Sequence, residues 1–319
     1  MPIKLVVVIV NYCCAGEILS RLPETSKRVA NLDSAEIWIV DNKSPDDSIT
    51  HLHAGVEDLP HKHLIKILSS SMNGGFGYGN NIAINAALAQ ETPPEYFYFL
   101  NPDAKPKPGA LEAFLSFMDT NPKVGIAGGL LCNEEGTIET SLFRFPSFLG
   151  EVESSISLGV VSKALSNYNL VLETPTQPKA VDWVAGTSFI ARSSALQKAG
   201  TFDENFFLYW EEIELCYRVI KSGYDVYAIP GAIVEHTGGV STGMHNPLKR
   251  IPDYWFASRS YFFEKTGLVK NMFLLNITVT LCLIIWRTHQ ALRGRQLDNP
   301  HYVRDFISYN FLSKKTGNL

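Results

Sequence analysis

Tyr96-Phe97-Tyr98-Phe99-Leu100-Asn101-Pro102-Asp103 is an aromatic run that leads straight into a proline-stiffened turn ending in a carboxylate. Pro102 fixes φ, removes a backbone donor and pushes Asn101 towards an extended conformation, so Asp103 is presented at the end of a strand rather than within it. A hard cation accepts such an oxygen, so the turn reads as a station for a metal and, through it, a diphosphate. Two earlier segments repeat the design: Leu5-Val6-Val7-Val8-Ile9-Val10 stops at Asn11, and Ile37-Trp38-Ile39-Val40 stops at Asp41. Continuous rather than alternating apolar runs predict strands buried on both faces, as in a parallel sheet covered by helices. Such sheets bind ligands at their carboxyl ends. Asn11, Asp41 and Asp103 are therefore expected on one rim, although each alone is also what a turn or a helix cap would use.

A chain of 319 residues can hold one large α/β domain with an appendage, or two modest ones, and can bury a substantial core. Its five cysteines, at 13, 14, 132, 216 and 282, show no CxxC spacing and form an odd set, which argues against a zinc cage or a disulfide framework and for a reducing cytosol. A net charge of −4 without a sustained basic stripe argues against nucleic acid as the main partner. Met1-Pro2-Ile3-Lys4 passes directly into the first apolar run, so no signal peptide is read there.

From about residue 4 to 130, apolar strands alternate with helical or loop connections, the βαβ signature of a parallel sheet. This half, about 1–130, is expected to hold a nucleotide, and about 131–265 form a second half. Residues from about 133 to 180 interleave Ser, Gly, Asn, Thr and Pro among apolar residues with no persistent period, and read as an irregular excursion. Regular structure resumes at Val181 to Arg192, followed by a helix from Ser193 to Ala199 closed by Gly200. Residues 266–319 read as a helical appendage. Within it the apolar stretch from Asn271 is interrupted by Asn276, Thr278 and Thr280, falls short of a bilayer span and ends in Arg287, Arg293 and Arg295. The expectation is that residues 271–295 lie in a membrane interface; packing on the protein's own core or in a homodimer is the alternative.

The glycine-rich run Ser71 to Asn81, including Asn73, Gly74, Gly75 and Asn80, precedes a helical pattern from Ile82 to Gln90, so its amides could approach a ligand closely. It is not a dinucleotide fingerprint, which belongs after the first strand, where Asn11-Tyr12-Cys13-Cys14-Ala15-Gly16 lacks it. Close helix packing is the other use of such glycines. In Tyr209-Trp210-Glu211-Glu212-Ile213-Glu214, a helix from about Glu211 would bury Ile213, Cys216, Tyr217 and Ile220, leave Glu214 and Arg218 as an outer pair, and set Glu212 at the edge of the core. A carboxylate there, beside apolar side chains and a like charge, has its pKa raised, which suits a general base near neutral pH. An acidic helix start stabilised by the macrodipole is the structural alternative. His236 follows a strand-like run and precedes Gly238-Gly239, where it could be a second metal ligand beside Asp103.

Taken in order, Val10-Asn11-Tyr12, Val40-Asp41-Asn42, Asn73-Gly74-Gly75-Phe76-Gly77, Leu100-Asn101-Pro102-Asp103, Trp183-Val184-Ala185-Gly186, Trp210-Glu211-Glu212 and His236 resemble the family-two glycosyltransferases, most nearly a rhamnosyltransferase-like subgroup. The match runs collinearly from about residue 4 to 265, an order more specific than any single motif. The resemblance implies a GT-A fold, α/β with a mostly parallel central sheet flanked by helices, a nucleotide-sugar donor, inversion at the anomeric carbon, and Mg²⁺ or Mn²⁺. It further implies that Asp41 meets the nucleobase or ribose and that Asn11, Tyr12, Asn73, Gly74, Gly75, Asn80 and Asn101 line the nucleotide pocket. Asp103 and His236 would hold the metal, and Glu212 would take the acceptor's proton. Glu-Glu-x-Glu replaces the commoner Glu-Asp-x-Asp, which leaves Glu211 as a rival base, and Asn-Pro-Asp replaces the Asp-x-Asp of many relatives. Trp183, with space left by Gly186, would floor the sugar or acceptor site, with a core tryptophan as the alternative. Arg144 could meet a phosphate or sugar.

The function implied is transfer of L-rhamnose from dTDP-rhamnose to a lipid-linked saccharide in surface polysaccharide synthesis, such as an O-antigen, at the cytoplasmic face of the inner membrane. UDP-galactofuranose or another UDP-sugar is the alternative donor. A catalytically silent nucleotide-sugar-binding assembly subunit is the alternative from another class.

Overall fold

The computed structural model describes residues 2–238, 249–295 and 299–312. Its first half is a run of strands and helices: β1 (Leu5–Asn11), α1 (Ala15–Ala30), β2 (Ala35–Asp41), α2 (Ser48–Glu57), β3 (Ile65–Ser69), α3 (Gly75–Leu88) and β4 (Tyr96–Leu100). It continues through β5 (Ala104–Pro106), α4 (Ala110–Thr120) and β6 (Val124–Cys132). The stretch read as irregular follows, with short strands β7 (Ile138–Glu139) and β8 (Leu142–Phe143), helices α5 (Phe148–Ile156) and α6 (Gly159–Ala164), and β9 (Lys179–Ala180). Then come β10 (Trp183–Val184), β11 (Ser188–Arg192), α7 (Ser193–Ala199), α8 (Glu211–Lys221), β12 (Asp225–His236), α9 (Asp253–Thr266), α10 (Met272–Leu292) and α11 (Tyr302–Ile307).

One sheet organises the molecule in the order β3-β2-β1-β4-β11-β6-β12-β5. β1 pairs in parallel with β2 and β4, β2 with β3, and β12 with β6, as the continuous apolar runs predict. β11 runs against both β4 and β6, and β5 against β12. Burial alone does not give strand direction, and Ser188 to Ala191 are as buried as any parallel strand. Every residue of β1, β4 and β6 is buried. Each such Val, Ile or Phe contributes ~1.5–3 kcal/mol relative to exposure, which fixes the strand ends where the polar residues begin.

Three departures from the sequence reading have local causes. The glycine-rich run is itself the first turns of α3, which begins at Gly75 rather than Ile82. A Cβ on Gly77 would meet Phe202 at 3.0 Å and one on Gly79 would meet Val10 at 2.6 Å, so these two glycines let the helix lie against its neighbours. The excursion contains two helices, the first started by Ser147, whose hydroxyl accepts the Gly150 amide at 3.1 Å. The C-terminal apolar stretch is one unbroken helix of 21 residues, long and apolar enough to cross a membrane, rather than a shorter segment. Its interruptions are absorbed: Asn276 is buried, accepts from Arg259 at 2.9 Å and donates to Asn310 at 2.9 Å. Thr278 and Thr280 donate to carbonyls one turn back. α9, α10 and α11 share one hydrophobic cluster with Phe206 and Trp210, so the C-terminal helices brace the turn that precedes α8.

Candidate active site

A cleft of about 610 Å³ opens at the carboxyl ends of the central strands. On its floor, Asn11 and Asp41 lie opposite one another in the β1–β2 register. Asn11 Nδ2 donates to Asp41 Oδ1 at 2.7 Å, Ser44 Oγ donates to the same oxygen at 2.7 Å, and the Ser44 amide donates to Oδ2 at 3.2 Å. Asn11 Oδ1 in turn accepts the Cys14 amide at the start of α1. Both side chains are buried beneath the cleft rather than lining it. The wall position belongs to the next residue. Asn42 Nδ2 donates to Asn73 Oδ1 at 3.0 Å and to the Gly75 carbonyl at 2.9 Å, while its Oδ1 has no hydrogen-bond partner among the described residues.

Tyr12, Asn73 and Gly75 line the cleft; Gly74 and Asn80 do not. Gly74 caps α3, and Asn80 is buried with its Nδ2 donating to the Phe76 carbonyl at 2.9 Å, a bond within the helix. Gly75 has φ +89°, and a Cβ there would fall 1.7 Å from the Phe207 carbonyl oxygen, which already accepts the Phe76 amide at 3.1 Å. Gly75→Ala is therefore expected to destabilise the protein by about 2 kcal/mol or more in chemical unfolding, whereas Gly16→Ala, with open space, stays within about 0.5 kcal/mol. Equal stabilities would refute this view of the α3 start.

Across the cleft, Asn101 donates its amide to Thr187 at 2.9 Å and accepts the Ala104 amide at 3.1 Å, which closes the turn that presents Asp103. Asp103 is buried, with Oδ1 3.4 Å from His236 Nε2. β5 and β12 set this distance, because His236 pairs with Ala104 in their register. Gly239, the end of the loop expected after His236, lies outside the described residues. Among the described residues no three His, Cys, Asp or Glu side chains gather as a metal cage. A carboxylate and an imidazole converging in a cleft instead fit a divalent cation whose remaining positions are filled by a ligand's oxygens and water.

The third wall is the start of α8. Tyr209 and Trp210 adopt left-handed φ of 67° and 75°, a conformation that costs non-glycine residues energy and persists only when held by its surroundings. Trp210 is held by Trp255, Phe262 and Phe263, at ring-centroid distances of 5.8, 5.3 and 5.9 Å. The turn delivers Glu211 and Glu212 into the cleft together, each with Oε2 buried and unpartnered among the described residues. Burial, reinforced by the neighbouring carboxylate, pushes Glu211 well above the usual carboxyl range. Burial also raises Glu212, but backbone amides including those of Gly186, Ile213 and Trp210 pull against it. Both carboxyls are thus raised by burial, and the surrounding backbone amides favour the ionised form at Glu212. A carboxylate in that setting can accept a proton from a hydroxyl.

Glu214, expected outside, is buried, because Arg218 Nε binds it at 2.7 Å and Lys265 at 2.9 Å. Arg218 spends its remaining donors on the carbonyls of Ala199, Gly200 and Thr201. Trp183 lines the cleft half-buried, stacked on Phe143 at 4.0 Å and 12°, with its indole N–H donating to the Arg144 carbonyl at 2.9 Å. Arg144 itself points elsewhere, to the Asn169 carbonyl at 2.8 Å, and does not line the cleft. The period of β8 turns Phe143 inward instead, a signal present in the sequence once the strand is known. Gly186 leaves space for Glu212 rather than for Trp183: a Cβ there would stand 3.3 Å from Glu212 Oε1. Tyr254, at the start of α9, completes the rim and has no local signal in the sequence.

The chain as a whole is similar to known proteins. A family model described as Glycosyl transferase family 2 matches residues 6–176. An N-acetylglucosaminyl-diphospho-decaprenol L-rhamnosyltransferase of Mycobacterium tuberculosis is 27% identical over 239 residues, covering 69% of this chain and 74% of that protein. Rhamnosyltransferase WbbL of Escherichia coli K12 is 27% identical over 165 residues, 51% of this chain and 60% of that protein. Among solved structures, mannosyltransferase PcManGT from Pyrobaculum calidifontis in complex with GDP-Man and Mn²⁺ superposes with TM-score 0.57 at 14% identity, over 92% of this chain and 77% of that one. GalNAc-T7 with UDP, GalNAc and Mn²⁺ gives TM-score 0.52 at 16% identity, over 74% of this chain and 44% of that one.

Proposed function

The chain belongs to glycosyl transferase family 2 and has a GT-A fold, and on that premise we propose that it transfers L-rhamnose from dTDP-rhamnose, with inversion, to a lipid-linked saccharide in cell-envelope glycan synthesis. One observation carries this reading: the Glu211–Glu212 pair and the Asp103–His236 pair line a single cleft. The donor assignment is supported by the relatives named as rhamnosyltransferases, and the lipid-linked acceptor by the substrate in the name of the first of them.

In this reading the nucleotide occupies the Tyr12, Asn73 and Gly75 side, with the unpartnered Asn42 oxygen accepting an N–H from the base. Asn11 and Asp41 hold that side in shape from below through the bonds they make with each other and with Ser44. Asp103 and His236 would hold Mg²⁺ or Mn²⁺, which supplies charge to offset the departing diphosphate. Trp183 and Phe143 offer an aromatic wall to a sugar's C–H face. Glu212 takes the proton of the acceptor hydroxyl as its oxygen bonds to the anomeric carbon, while the bond from that carbon to the diphosphate oxygen breaks on the opposite face. Glu211 remains protonated and keeps a second negative charge away from Glu212.

The proposal is tested by thermal shift against dTDP-, UDP- and GDP-sugars with and without Mn²⁺, since a bound ligand raises apparent stability by mass action. A Mn²⁺-dependent shift confined to dTDP-rhamnose is expected. A larger shift with a UDP-sugar would overturn the donor assignment. A finer test uses the space at Gly186: Gly186→Ala must displace the Glu212 carboxylate by a few tenths of an ångström, so kcat is expected to fall about tenfold with donor affinity unchanged. Loss of donor affinity instead would place Gly186 against the nucleotide.

A further inference from the structure

We infer that the outward face of α10, with the exposed basic residues Lys270, Arg293 and Arg295 at its two ends, is a docking surface for an anionic lipid bilayer, on which the helix lies flat. Unlike an ordinary surface helix, this one is apolar on its outward face as well as on its packed face. Its polar Asn276 and Gln290 are buried, whereas Phe273, Leu274, Leu281, Ile284, Ile285 and Leu292 are exposed, from 45% for Ile284 to 84% for Leu292. Residues 274, 281, 285 and 292 recur at intervals of four and seven, so they form one stripe along the helix. Single exposed apolar residues are ordinary, but a continuous stripe marks a surface that something covers. The opposite face is fastened to the body: Leu275, Val279 and Leu283 share a core with Trp210, and buried Arg259 bridges Asn276 to Glu151 on α5. A helix held along its length in this way presents the stripe parallel to the protein surface, as an interfacial helix does.

Charge selects the occupant. Residues 249–319 hold eleven Lys and Arg against four Asp and Glu, whereas residues 1–248 hold seventeen against twenty-eight. Exposed Lys249, Lys270, Arg293, Arg295 and Arg304 belong to the basic part. A second copy docked two-fold on this face would set like charge against like, while an anionic headgroup layer is complementary to it. This surface agrees with the lipid-linked acceptor proposed above without resting on it, and its test uses neither donor nor acceptor.

The full chain is sedimented with vesicles of phosphatidylcholine alone and with about 30% phosphatidylglycerol. Point variants are used because truncation would open the core shared with Trp210. Wild type is expected to bind the anionic vesicles, more weakly as salt rises. The Leu281→Gln/Ile285→Gln pair is expected to bind at least about tenfold more weakly, and Arg293→Gln/Arg295→Gln several-fold more weakly, with unchanged circular dichroism and Tm reporting intact folding. Absent binding by wild type, or equal binding by the Leu281/Ile285 variant, overturns the proposal. So does light scattering that shows a dimer in wild type and a monomer in that variant without vesicle binding, which would assign the face to a second copy.

Discussion

Replacing Glu212 by Gln is expected to lower kcat about 10³-fold while donor affinity stays within about twofold, because a positioned base supplies that order of rate and is needed only when the hydroxyl is attacked. Glu211→Gln is expected to cost less than about tenfold, since the amide replaces a group already neutral at working pH. The pH dependence follows with a definite sign. Activity requires ionised Glu212, whose pKa is raised by burial, so kcat/KM falls as pH drops and its acidic limb lies above the ordinary carboxyl value of 4.5. Glu211→Gln leaves that limb in place, because a protonated Glu211 exerts no charge on its neighbour. Stability moves the other way. A carboxyl whose folded pKa lies above its unfolded one costs stability as pH rises past the unfolded value, so Glu211→Gln is expected to raise Tm at neutral pH, and the gain to vanish below about pH 4.5. If Glu211→Gln is the inactive variant and Glu212→Gln the active one, the roles are reversed. Full activity in both would remove acid–base work from this pair altogether.

Asp103→Asn carries the second large effect. Among the described residues only Asp103 offers an anionic oxygen beside His236, so removing its charge is expected to lower kcat/KM about 10³-fold, several kcal/mol of leaving-group stabilisation, and to abolish Mn²⁺ binding measured by calorimetry with a nucleoside diphosphate present. His236→Asn is expected to weaken that binding by about 10–100-fold rather than abolish it. Metal-dependent turnover that survives Asp103→Asn would show that the cation sits elsewhere.

Much of the fold was legible because the strands of the nucleotide half are apolar without interruption and stop at polar residues: Leu5–Asn11, Ala35–Asp41 and Tyr96–Leu100 end where the sequence changes character. The direction of β11 was not legible, since a strand buried on both faces reads alike in either sense. The start of α3 at Gly75 was hidden because glycine opposes helix locally and is favoured here only by contacts with Phe202 and Val10, far away in sequence. At the site, Asp103, His236, Glu211, Glu212, Trp183 and Gly186 come from four separate stretches of sequence, and their order along the chain announced them. Glu214 misled because its partners include Lys265, about fifty residues away, and helical spacing says nothing of such a partner. Asp41 and Asn42 are adjacent, and only the side-chain bonds show that the first supports and the second faces the cleft. Phe143 closes β8 and lines the cleft, whereas Arg144 lies just beyond the strand and is drawn off by the Asn169 carbonyl, a partner that the local sequence does not announce.

The central claim is a single displacement at the anomeric carbon with Glu212 as base. It is tested most directly by incubating the protein with dTDP-rhamnose, Mn²⁺ and an N-acetylglucosaminyl-diphospho-lipid and reading the new linkage by NMR. The account predicts a rhamnosyl product whose anomeric configuration is opposite to the donor's, formed by wild type and not by Glu212→Gln. A product that keeps the donor's configuration, or equal transfer by the Glu212→Gln variant, would contradict it.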